Sequence, residues 1–128
     1  MDGPVLLIDD HRETVDVLAR LLEARGIPVL AFSEPVTAVK LLHSGLRPCV
    51  VVTDQQMPEL YGTELIQALR SRPGCEETWV VILSASPLKA ARDRFTLFRQ
   101  KPIDPEDFVF LVERLATQGG CGELADQL

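Results

Sequence analysis

Two adjacent carboxylates (Asp9, Asp10), a distant third (Asp54), a hydroxyl (Ser84) and a lysine (Lys101) share one feature: each ends a short run that reads as a strand. Val5-Leu6-Leu7-Ile8 leads into Asp9-Asp10, Cys49 to Thr53 into Asp54, Trp79 to Leu83 into Ser84, and Thr96 to Gln100 into Lys101. Carboxylates gathered in one place repel one another unless a proton or a cation intervenes. Hard oxygen ligands that leave room for water suit Mg²⁺. Lysine adds a compact balancing cation, and serine a hydroxyl that can bond an incoming oxygen. Such a set is equipped for phosphoryl transfer. Asp54 would attack as nucleophile and form an acyl phosphate, while Mg²⁺ and Lys101 neutralise charge on the equatorial oxygens. Each residue also has a plainer role open to it: Asp9-Asp10 as a helix cap, Asp54 and Ser84 as turn residues, Lys101 as a solvated lysine. Taken singly, those roles would be preferred. Taken together, four matching run ends argue for one site.

For that site to exist, the four runs must be parallel strands ending on one rim. The runs at Val5–Ile8 and Cys49–Val52 are continuously apolar rather than alternating, as in strands covered on both faces. Pro48 and Pro58 bracket the second of them. Between the runs lie helical patterns. Val15, Leu18, Leu21 and Leu22 share a face, and Gly26 stops that helix. Ile27 to Phe32 reads as strand two, near an edge because it contains Pro28. Ser33 is expected to cap helix two, with Val36, Val39, Leu41 and Leu42 facing the sheet and Gly45 at its end. Helix three follows Gly62, with Leu65, Ile66 and Leu69 inward; Ser71 to Thr78 is then a surface loop. Ser86-Pro87 opens a short helix four carrying Leu88, Ala91 and Phe95. Asp104-Pro105 opens helix five, with Phe108, Leu111, Val112 and Leu115 at helical spacing. Five strands alternating with five helices predict an α/β fold: a doubly wound, five-stranded parallel sheet with right-handed crossovers, its helix four short or irregular. Ligands of such sheets bind at the carboxyl ends of the strands.

The 128 residues suffice for one domain with a core and not for two. A net charge of −6 argues against direct nucleic-acid binding and suits a cation site. No apolar run approaches the ~20 residues of a membrane span. The start reads as strand rather than secretory signal, so a cytoplasmic location is expected. Cys49, Cys75 and Cys121 are odd in number and lack metal-ligand spacing, which points to a reduced compartment. Cys49 reads as core; Cys75 and Cys121 fall in loop-like stretches and read as incidental. Neither GxGxxG nor GxxxxGK[ST] is present, which disfavours a nucleotide site.

The ordered set Asp9-Asp10, Asp54 with Met57-Pro58 and Gly62, Ser84-Ala85 and Lys101-Pro102 resembles the receiver domains of two-component response regulators. The resemblance runs from residue 4 to about 117. It implies a flavodoxin-like sheet of order 2-1-3-4-5 and phosphorylation of Asp54 by a sensor histidine kinase or phosphotransfer protein. It implies that Asp10, Asp54 and the backbone carbonyl of Gln56 ligate Mg²⁺, with Asp9 acting through water. Ser84 and Lys101 would contact the phosphoryl group, and Phe98 would follow Ser84 as the switch aromatic. The protein would then be no enzyme beyond catalysing its own phosphorylation and dephosphorylation.

One stretch departs from the family pattern. The span from Ser84 to Lys101 is shortened, and Arg92 to Leu97 lacks the usual small-residue pair before strand five. Two alternatives stand beside the receiver reading. A pseudo-receiver would bind partners without phosphorylation. A Mg²⁺-dependent phosphohydrolase using an aspartyl phosphate would want an acid/base aspartate where Gln56 stands, and a cap domain. Residues 1–118 are expected to form the receiver domain, and 119–128 a mobile tail. The output partner is not legible, and no DNA-binding domain fits within this length.

Overall fold

The computed structural model describes residues 3–57, 60–85 and 95–118. Its main sheet contains β1 (Val5–Ile8), β2 (Val29–Phe32), β3 (Val50–Asp54), β4 (Trp79–Ser84) and β5 (Thr96–Gln100). All pairings are parallel, in the order β2-β1-β3-β4-β5. Four helices are described: α1 (Arg12–Glu23), α2 (Pro35–His43), α3 (Gly62–Arg70) and α4 (Pro105–Gln118). The last is the fifth helix of the sequence reading. The expected helix four falls mostly on 86–94, outside the described residues, together with Ser86, Pro87, Leu88 and Ala91. The tail at 119–128 and Cys121 lie outside them as well. Gln56–Met57 and Leu60–Tyr61 form a small antiparallel ribbon beyond β3.

Successive strand residues point to opposite faces, and here both faces are covered. Val5, Leu7, Val50, Val52, Val81 and Leu83 pack with Leu18 and Leu22 of α1 and Phe108, Val112 and Leu115 of α4. Leu6, Ile8, Val51, Val80 and Ile82 pack with Ala38 and Leu42 of α2 and Leu65, Ile66 and Leu69 of α3. A strand with two buried faces has no polar alternation, which accounts for the continuous apolar runs. Leu22 is fully buried in the first cluster. Leu22→Ala is expected to cost about 2–5 kcal/mol, read as a lowered midpoint with unchanged slope in urea unfolding.

Local details correct several expectations. Strand two begins at Val29, not Ile27. The Ile27 N–H bonds the Leu22 carbonyl, so this residue closes the end of α1 after Gly26, whose φ of 78° requires the left-handed region. Ser33 does not cap α2. Glu34 occupies that position without a side-chain bond, and Pro35 opens the helix. Leu42 is buried as expected, with Pro35 and Ala38, and Val39 packs half-buried against the second cluster, while Val36 is 40% exposed. Phe95 does not belong to a helical face. It stands immediately before β5, accepts the Val80 N–H and sets its ring edge against Trp79 at 5.2 Å. Cys75 is not incidental: it is 1% exposed and part of the second cluster. Its loop is tied down by Arg70, whose guanidinium donates to the Cys75 and Thr78 carbonyls at 3.0 and 2.6 Å. At α4, Asp104 Oδ1 accepts the Glu106 and Asp107 N–H groups, the cap that Asp104-Pro105 signalled.

Candidate acidic site at the carboxyl rim of the sheet

The strand register places the chemistry. β1 pairs Ile8 with Thr53 of β3, β3 pairs Asp54 with Leu83, and β4 pairs Ser84 with Gln100. Asp9, Asp54, Ser84 and Lys101 therefore emerge along one rim. Asp9, Asp54 and Ser84 are all buried, at 2%, 6% and 6% exposure. Carboxylates this deeply buried demand compensation. Lys101 Nζ supplies it, lying 3.2 Å from Asp9 Oδ2 and 3.1 Å from Asp54 Oδ1. The Lys101 N–H donates to the Ser84 carbonyl at 2.7 Å, continuing the β4–β5 ladder to the lysine. Phe98 faces Ile82 across that ladder and packs, half-buried, on the second cluster. Gln56 lies on the ribbon that leaves β3.

The two acids before α1 do not cap it. The N-cap is His11, which makes no side-chain cap bond. Asp9 Oδ1 instead accepts the His11 backbone N–H at 2.9 Å and the His11 Nδ1 proton at 3.1 Å. The same Nδ1 is 3.1 Å from Asp10 Oδ1. His11 is the site residue that sequence reasoning passed over. Its place directly after the acidic pair was the available signal.

Electrostatics separate the acids. Burial raises the Asp9 carboxyl, but the His11 N–H and Lys101 outweigh it and hold Asp9 below the usual carboxylate range. Burial, then the charges of Asp9 and Asp10, push Asp54 above that range despite Lys101. Burial alone would lower Lys101; its hydrogen bond to Asp54 and the charge of Asp9 hold it above an ordinary lysine. His11 is raised by its bond to Asp9 and then by the charge of Asp10. A raised histidine stabilises the fold fully below its unfolded value near pH 6.5, and that contribution is lost as pH climbs through the folded value. The metal-free protein should thus lose melting temperature above about pH 6.5, and His11→Asn should flatten that decline. Parallel profiles for the two proteins would contradict the assignment.

The donor set fits a divalent cation. Asp10 Oδ1 is buried and accepts no hydrogen bond, leaving a lone-pair site unsatisfied. Ligand atoms of Asp9, Asp10, His11 and Asp54 all lie within 4.8 Å of one another. Beside Lys101 an apolar groove of about 630 Å³ opens between α1 and the segment after β5, with Val17, Leu18, Leu83 and Ile103 in its walls. Among the described residues no helix is long and apolar enough to cross a membrane.

The chain is similar to known proteins. An uncharacterized 14.6 kDa protein of Leptolyngbya boryana is 33% identical over 115 residues, covering 86% of this chain and 87% of that protein. An uncharacterized response regulatory protein of Vibrio cholerae is 35% identical over 88% of this chain; the chain spans 48% of it. The crystal structure of the receiver domain of the hybrid histidine kinase CckA superposes with a TM-score of 0.75 at 26% identity, over 90% of this chain and all of that one. The response regulator receiver domain model matches residues 5–113. With the sheet order, the rim of acids and lysine, and this match in agreement, the chain belongs to the response regulator receiver domain family.

Proposed function

We propose that Asp54 accepts a phosphoryl group from a phosphohistidine on a sensor histidine kinase or phosphotransfer protein, and that the aspartyl phosphate changes binding to an output partner. The observation that supports this most is Lys101 Nζ held between Asp9 and Asp54 at the carboxyl rim. In the transfer, an Asp54 carboxylate oxygen bonds to phosphorus as the phosphorus–nitrogen bond breaks. The donor imidazole leaves with the electron pair and takes up a proton from solvent. Lys101 neutralises charge on the phosphoryl oxygens, and the Ser84 hydroxyl bonds one of them. Phe98 follows Ser84 inward as the switch. Asp10, Asp54 and the Gln56 carbonyl would hold Mg²⁺, with Asp9 acting through water. Bound there, Mg²⁺ supplies further charge neutralisation at the transferring group. On this reading the protein catalyses only its own phosphorylation and dephosphorylation, works in the cytoplasm, and uses residues 1–118 as its receiver domain. Mass spectrometry after incubation with acetyl phosphate and Mg²⁺ tests it: one adduct should map to Asp54, and an adduct on serine or histidine rejects it.

The groove beside Lys101 offers the donor a seat. Val17 is 52% exposed in a mainly apolar wall next to the lysine. A partner helix packed there would carry its histidine to the rim. Val17→Lys should slow transfer from a phosphohistidine protein about tenfold, a loss of roughly 1.4 kcal/mol of docking, while labelling by acetyl phosphate is unchanged. Equal slowing with both donors would place the defect in the site itself.

A further inference from the structure

The proposed phosphoryl chemistry makes no use of His11. It is mostly exposed, yet it turns Nδ1 onto the acidic pair, 3.1 Å from both Asp9 Oδ1 and Asp10 Oδ1. The hydrogen bond goes to Asp9. Asp10 Oδ1 is left buried without a donor. A site whose ligands are all oxygen suits Mg²⁺. Adding an imidazole nitrogen to carboxylates shifts preference toward first-row transition ions, which bind nitrogen well, whereas Mg²⁺ gains little from it. We infer that His11 is a nitrogen ligand of this cation site, so that the site takes Mn²⁺ and Co²⁺ through Asp9, Asp10, His11 and Asp54 as well as Mg²⁺ through oxygens alone.

The inference rests on reading the acidic cluster as a divalent-cation site, and it adds the class of ion. Bound as a ligand, His11 gives up its Nδ1 proton to solvent, offers the freed lone pair to the ion, and ties the N-cap of α1 to the end of β3. The geometry for this is already present, because the ligand atoms of the four residues sit within 4.8 Å of one another.

The untagged full chain and His11→Ala are titrated calorimetrically with Mg²⁺ and with Co²⁺. Their Mn²⁺ complexes are examined by pulsed electron paramagnetic resonance for nitrogen coupling. In the parent, Mn²⁺ should show coupling to one imidazole nitrogen, and His11→Ala should remove it. Co²⁺ affinity should fall about tenfold or more in the variant, while Mg²⁺ affinity changes less than about twofold. Retained Mg²⁺ binding also shows that the variant is folded. Mg²⁺ binding without nitrogen coupling in the parent overturns the inference alone, as does a parallel loss of both affinities in the variant. If the parent binds neither ion, the cation site itself falls and the inference with it.

Discussion

Asp54→Asn should take up no phosphoryl group from acetyl phosphate or phosphoramidate under conditions in which the parent takes one. The loss should exceed about a hundredfold, because the amide has no carboxylate oxygen to act as nucleophile. The same substitution should leave the metal-free fold at least as stable at pH 7. The sign follows from Asp54's position. Its carboxyl is held above the usual range by burial and by Asp9 and Asp10. A raised acid favours the fold at low pH, and this contribution is lost as pH rises past the ordinary carboxylate range. At neutral pH the ionised Asp54 therefore costs the native state free energy, and a neutral residue of the same shape relieves it. Intact-mass spectra and melting curves read both effects. A labelled Asp54→Asn protein, or one that melts well below the parent, would contradict this account.

Lys101→Ala should have the opposite effect on stability. It removes the cation between two acids whose side chains are 2% and 8% exposed. Stripping one partner from a buried ionic cluster leaves uncompensated charge, at a cost of about 3 kcal/mol. Added Mg²⁺ should restore more stability to the variant than to the parent, since the cation enters a site with one less positive charge. Yet the variant should respond weakly to beryllofluoride, a phosphoryl mimic, because the proposed function has Lys101 contact the phosphoryl oxygens. Urea unfolding with and without Mg²⁺ separates these contributions. A variant as stable as the parent in metal-free buffer would show that Lys101 does little to hold the acids together.

These effects trace to residues that could be recognised before any coordinates, because the sheet announces itself. A strand buried on both faces must be apolar throughout, so Val5–Ile8 and Val50–Val52 could be found from composition alone, and the polar residue ending each run marked the rim. Helix faces were harder. In α2 the buried residues are Pro35, Ala38 and Leu42, and the larger Val36 is left exposed; hydrophobicity chose Val36 wrongly because Ala and Pro give little signal. Cys75 looked like a loop residue, since its neighbours are glycine and glutamates, but the loop folds back under the Arg70 guanidinium. His11 was missed for another reason. Periodicity and run ends say nothing about an exposed side chain that bends back onto its own neighbours.

The bond between Lys101 and Asp9 closes a loop of 92 residues. β1 lies inside the sheet between β2 and β3, so the first strand to be made takes its final place only when later strands flank it. During synthesis, Asp9, Asp10 and Asp54 leave the ribosome well before the lysine that offsets their repulsion. An unfinished chain therefore carries the acids before the cation that lies between Asp9 and Asp54 is in place.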